Sequence, residues 1–178
     1  MSAAASPPGA RTIVTYSLVQ AGIAFSLVGS GAVSLQCDAA RDLSGVGLGT
    51  AAGIILFYLL AYDGAARPLR AERSAIVKLT ALLAVVSVAE EIVWRGYALA
   101  TLRATTGPLT ALAATSLGFA AAHATTQGWT GIRTHLVTGA VIGLAFILTR
   151  SLAAAVATHL SYNLMFVRTL APHGRFEL

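Results

Sequence analysis

The chain has 178 residues and a net charge of +5, yet 56% of its residues are hydrophobic and only 11% are charged. Soluble domains carry roughly twice that charged share, so too few polar residues remain to cover a water-facing surface, and the hydrocarbon of a bilayer is the expected solvent. The positive charge does not point to nucleic acid, because the cations stand as single residues between apolar runs with no basic stripe and no interleaved aromatics. The lone cysteine, Cys37, excludes an internal disulfide and a cysteine-rich metal site.

A helix needs roughly 20 apolar residues to cross ~30 Å of hydrocarbon. Six segments approach that length, which predicts an all-α polytopic bundle of about six transmembrane helices around a polar intramembrane cavity. Residues 1–11, with Pro7, Pro8 and Gly9, read as a disordered N-terminal tail. The first span is expected over 12–33. Its apolar stretch exceeds the ~7–15 residues of a secretory signal core, so it is read as a retained span. The second is expected over 43–62, followed by a polar connection, 63–74, that contains Pro68. The third covers 75–102. The fourth starts at Pro108, a favoured first-turn residue, and reaches His123. A polar loop with Gly128 and Gly131 occupies 125–133, and the last two spans cover 136–148 and 152–167. A single transmembrane domain, 12–168, thus precedes a C-terminal tail, 169–178.

Orientation follows from the cations. With six spans, one side holds Arg11, Arg67, Arg70, Arg73, Lys78, Arg133, Arg168 and Arg175, eight in all, against three on the other, Arg41, Arg103 and Arg150. Positive loops stay in the cytoplasm, which places both termini of this cell-membrane protein inside. Glycines at four-residue intervals, Gly45, Gly49 and Gly53 in the second span and Gly139 and Gly143 in the fifth, let helices approach closely, as in ordinary packing within one bundle.

The third span carries Glu90, Glu91 and Arg95. Each ionised residue costs ~2.5–3.5 kcal/mol at a helix centre, whereas a good apolar residue returns only ~0.3–0.6. Such groups must face protein or a wet cavity. Glu91 and Arg95 stand at i and i+4 and can pair, which makes them structural support. Glu90 is rotated about 100° away and has no dedicated cation, an expensive arrangement unless the carboxylate is used; a general base is such a use. The fourth span holds Phe119 and His123, and the sixth holds His159 and Asn163. Three apolar spans therefore each donate polar groups suited to proton transfer and oxyanion stabilisation. His135 and His173 are read as interfacial.

Other intramembrane chemistries fail on the residues present. No His-Glu-x-x-His occurs, Ser30 between Gly29 and Gly31 has no nearby histidine, and Asp63 after Tyr62 lacks a Gly-x-Gly-Asp partner.

Glu90-Glu91-x-x-x-Arg95, Phe119-x-x-x-His123 and His159-x-x-x-Asn163 resemble, in order and on successive spans, the three motifs of the CAAX-protease and bacteriocin-processing family of intramembrane proteases. The resemblance covers 75–167. It implies an endopeptidase acting on a membrane-associated protein or peptide, prenylated or not, in which Glu90 and His123 activate a water while His159 and Asn163 steady the oxyanion. No cofactor is favoured. The family has also been read as metalloproteases, and then Glu90, His123 and His159 would ligate zinc with one position open. Two other readings stand beside the protease: a non-proteolytic immunity or scaffolding protein that binds a lipidated or membrane peptide in the same cavity, and a proton-coupled transporter, which the absence of an inverted repeat disfavours.

Overall fold

The computed structural model describes residues 10–35, 38–62 and 73–170. Cys37, Asp63, Arg67, Arg70, His173 and Arg175 lie outside the described residues, as do most of the two tails. The described residues hold no strand. The elements are α1 (Ala10–Gly29), α2 (Ala39–Leu60), α3 (Arg73–Glu91), a π-helical segment (Ile92–Leu99), α4 (Ala100–Thr106), α5 (Pro108–Gln127), a 3-10 turn (Trp129–Gly131), α6 (Ile132–Thr149) and α7 (Leu152–Leu170). The third to fifth of these run on as one rod, so the described residues make six long helical pieces.

Local chemistry sets the ends. The Asp38 carboxylate accepts from the Arg41 amide at 3.1 Å, and Asp42 accepts from the Asp38 amide at 2.9 Å, which closes the start of α2. Gly107, at φ 82°, breaks the chain before Pro108 opens α5. Gly128, at φ 71°, ends α5 with its N–H on the Ala124 carbonyl. The region expected to be a loop over 125–133 is therefore mostly helical. Thr125 and Thr126 turn their hydroxyls back onto the Ala122 and His123 carbonyls at 2.6 and 3.1 Å, so their polarity is absorbed by the helix rather than breaking it.

Burial is inverted relative to a soluble domain. Ser87, Glu90, Glu91, Arg95 and Thr158 are buried, while Leu18, Phe25, Leu43, Leu59 and Leu148 stand exposed on the outside. Bare apolar surface on this scale belongs against lipid or a partner. The helices α2 (Ala39–Leu60) and α6 (Ile132–Thr149) are long and apolar enough to cross a membrane.

The glycine ladders work at helix contacts. Gly45, Gly49 and Gly53 lay α2 on α7: a Cβ at Gly49 would collide with the Ala154 carbonyl, and one at Gly53 with Ser161 Oγ and the Thr158 carbonyl. Ser151 at the start of α7 donates to the Asp42 carboxylate. Gly139 of α6 lies against Phe119 and Ser116 of α5. On the other side, α1 and the turn after it rest on α3 and the π segment through Ala24, Val33, Ala89 and Ile92.

Candidate active site

Glu90 and Glu91 end α3, and Arg95 follows in the π segment; each is at most 2% exposed. A π turn takes more residues than an α turn and recurs at functional sites, and here it re-aims Trp94, Arg95 and Leu99 relative to a straight helix. Arg95 Nη1 donates to Glu91 Oε1 at 2.9 Å, and Nη2 donates to the Gly139 carbonyl at 2.9 Å. Its guanidinium lies 4.8 Å from the centre of the Phe119 ring, a cation–π contact. Arg95 thereby ties the α3 rod to α5 and α6.

His159 Nδ1 lies 2.7 Å from the same Glu91 oxygen. That carboxylate already accepts from Arg95, so Nδ1 carries the hydrogen and Nε2 is left facing Glu90 Oε2 at 3.7 Å. His123 behaves alike. Its Nδ1 lies 2.9 Å from the Phe119 carbonyl, which only accepts, so its Nε2 is the nitrogen facing Glu90 Oε1 at 3.6 Å. Both gaps exceed hydrogen-bond length, and Glu90 Oε1 has no hydrogen-bond partner among the described residues. One carboxylate and two imidazole nitrogens thus converge, all as acceptors. A water donating its hydrogens into such a set turns its lone pairs outward, toward an electrophile.

Phe119 is the hub. Its ring meets His123 at 4.3 Å, and Trp94 and His159 at 6.0 Å each. The fourth span was expected to end at His123, but α5 starts at Pro108 as expected and continues a turn beyond His123, to Gln127, so His123 stands inside the helix and reaches Glu90. Asn163, one turn after His159 on α7, donates from Nδ2 to Ser87 Oγ at 3.1 Å. It stands against α3 one turn ahead of Glu91 rather than on the Glu90 carboxylate.

Two side chains belong here that the sequence did not assign. His135, expected at the interface, is half-buried and stacks on His123 with ring centres 4.0 Å apart, its Nε2 2.8 Å from Gln127 Oε1. Starting α6 at Ile132 rather than near 136 places it inside the helix pair. Tyr16 of α1 sets its ring edge against His123 at 5.5 Å. Its buried hydroxyl lies beside Glu90 and Gln20 without closing a hydrogen bond of ordinary length to either. The one sequence signal for Tyr16 was a pair of polar tips, Tyr16 and Gln20, one turn apart in an apolar span.

The donor types suit zinc, which takes imidazole and carboxylate and is often held by histidines whose other nitrogen is engaged, as both are here. The arrangement is more open than a closed metal centre: among the described residues no group of three His, Cys, Asp or Glu is gathered to hold an ion.

These features define a class, an α-helical membrane protein with an acid–imidazole site among its helices. The sequence model of the Rce1-like family, described as type II CAAX prenyl endopeptidase Rce1-like, matches residues 72–165. With more than half its length matched, the chain belongs to that family, a group of membrane-integral proteases that act on membrane-associated proteins. No curated protein and no solved structure matches the chain. The helices α1 and α2 lie outside the matched residues.

Proposed function

We propose that this protein is an intramembrane endopeptidase of six spans, both termini in the cytoplasm, and that Glu90, His123, His159 and Asn163 carry its chemistry. The observation that carries the reading is the convergence of two Nε2 atoms on the Glu90 carboxylate, each imidazole fixed through its Nδ1. Glu90 takes a proton from the attacking water, and His123 orients that water. The tetrahedral oxyanion is met by His159 in its imidazolium form, with Nδ1–H held on Glu91 and Nε2–H turned to the oxyanion, and by the second N–H of the Asn163 amide. Glu90 then returns its proton to the leaving amine as the C–N bond breaks. Glu91, Arg95 and Phe119 hold the parts in place. The residues from 12 to 168 act as one domain, with residues 75–167 as its catalytic core.

The substrate is a membrane-associated protein or peptide, and a prenyl chain suits it. An apolar groove of about 490 Å³ between α1 and the α3 rod, lined by Ala21, Ala24, Val85, Val88, Ala89 and Ile92, offers an isoprenoid a place along the rod that carries Glu90. A second reading is favoured by the two engaged Nδ1 atoms: a zinc ion held by Glu90, His123 and His159, which when bound supplies a polarised water at the same point.

The test uses the purified chain in lipid nanodiscs with an internally quenched peptide ending in a CAAX sequence, farnesylated or bare. Mass spectrometry should find a fragment released from the C-terminal side of the modified cysteine, faster from the farnesylated peptide. Tight binding without cleavage of either peptide would replace the protease with the non-proteolytic binding protein. Reporter fusions at the C-terminus test orientation and should be active on the cytoplasmic side.

A further inference from the structure

The helix α1 lies outside the family match, yet it places a polar group at the centre of the site. The Tyr16 hydroxyl is buried, closes no hydrogen bond of ordinary length, and sits beside Glu90 and Gln20. A buried donor left unsatisfied costs free energy and is uncommon. The ring itself is well held, edge-on against His123, with Gln20 one turn further along α1.

The other groups at the centre make this donor matter. With both imidazoles neutral, the His123 and His159 Nε2 atoms and both Glu90 oxygens face one another as acceptors. Of the donors nearby, Arg95 is committed to Glu91 and Gly139, and the Asn163 amide holds Ser87 with one hydrogen and keeps the other for the oxyanion. Trp94 Nε1 also lacks a partner, but its ring turns to Gly118 and Phe119 rather than to Glu90. The acceptors serve the attacking water, and the developing oxyanion has only the protonated His159 Nε2 and the second Asn163 N–H. A neutral O–H beside them adds a further donor where charge develops.

We infer that Tyr16 is a catalytic residue whose hydroxyl donates a hydrogen bond to the carbonyl oxygen of the scissile peptide and holds it as the oxyanion forms. This rests on the protease reading above. As the water oxygen bonds to the carbonyl carbon, its proton passes to Glu90 and the carbonyl π electrons move onto oxygen. Tyr16 keeps its own proton throughout. Preorganised donors of this kind act mainly on the transition state, so the first helix is part of the reaction centre and not only its cover.

The experiment compares Tyr16→Phe with the wild-type chain in nanodiscs, using the farnesylated quenched peptide and a phosphinate analogue with a tetrahedral centre in place of the scissile amide. Phenylalanine keeps the ring contact with His123 and removes only the hydroxyl, so folding and melting temperature should hold. The expected result is a kcat lower by roughly 10²-fold, the scale for one oxyanion donor, with KM little changed and phosphinate affinity weakened by a similar factor. A merely structural role would lower melting temperature and yield and leave both those readouts alone. Wild-type kcat and phosphinate affinity in Tyr16→Phe would overturn the inference while leaving the protease reading intact. A wild-type chain that cleaves neither peptide would instead overturn the protease reading, and this inference with it.

Discussion

His159 hangs from Glu91 by its Nδ1, 2.7 Å from an oxygen that Arg95 grips at 2.9 Å from the other side. One buried carboxylate thus does two things: it neutralises the only cation at this depth of the α3 rod, and it fixes which nitrogen of His159 faces Glu90. Support and chemistry meet in the same atom, and the two can be separated by mutation.

Glu91→Gln keeps the shape and removes the charge. Arg95 then becomes a buried cation without a counter-ion, a change that typically costs ~3–5 kcal/mol. Melting temperature and yield in detergent should fall. Because the substitution also weakens the hold on His159, turnover per folded molecule should fall too, as active-site titration against folded protein would read. A variant as stable as wild type would show that Glu91 is not the brace.

Gly53→Ala should loosen α2 from α7, since its Cβ would meet Ser161 Oγ and the Thr158 carbonyl. Backbone cannot yield as a side chain can, so the cost should reach the ~1–3 kcal/mol of an overpacked core. Gly49→Ala should behave alike against the Ala154 carbonyl. Gly47→Ala is the control: nothing lies within 4 Å of its added Cβ, and its helix propensity should match or slightly raise stability. Thermal melts of the three variants check the pattern.

His159→Ala and Asn163→Ala each remove a proposed oxyanion donor and should lower kcat by roughly 10²–10³-fold, with substrate affinity largely kept. Asn163→Ala also strips Ser87 of its partner, so its melting temperature should drop slightly while that of Tyr16→Phe does not. Rates and melts on the same preparations separate the two effects.

Chelation addresses the metal. With water activated by Glu90 and His123 alone, wild-type turnover should survive dialysis against a strong zinc chelator. Loss of turnover that returns on adding zinc would transfer the water to an ion held by Glu90, His123 and His159.

The helical pieces were legible in the sequence because each is an apolar run between Pro, Gly or charged residues, and the described helices follow the expected spans within a few residues. The meeting of Glu90, His123 and His159 was legible because ionisable groups in apolar helices must find one another. The rest was hidden for particular reasons. The π segment leaves no mark in composition. Thr125 and Thr126 look like loop residues until their hydroxyls are seen to bond the helix backbone. His135 reads as interfacial only if α6 starts late. Tyr16 shares its apolar stretch with a second aromatic, Phe25, and nothing local says that its hydroxyl, rather than a lipid-facing ring, ends beside a carboxylate donated by the third span.

Glu90→Gln tests the central claim most directly. Gln is isosteric with Glu and cannot take the water's proton. In nanodiscs, with the farnesylated quenched peptide, the variant should fold, melt and bind peptide much as wild type does, and its turnover should fall to background. Wild-type turnover persisting in Glu90→Gln, on a chain shown to be folded, would contradict the account, because the carboxylate on which both imidazoles converge would then have no part in moving the proton.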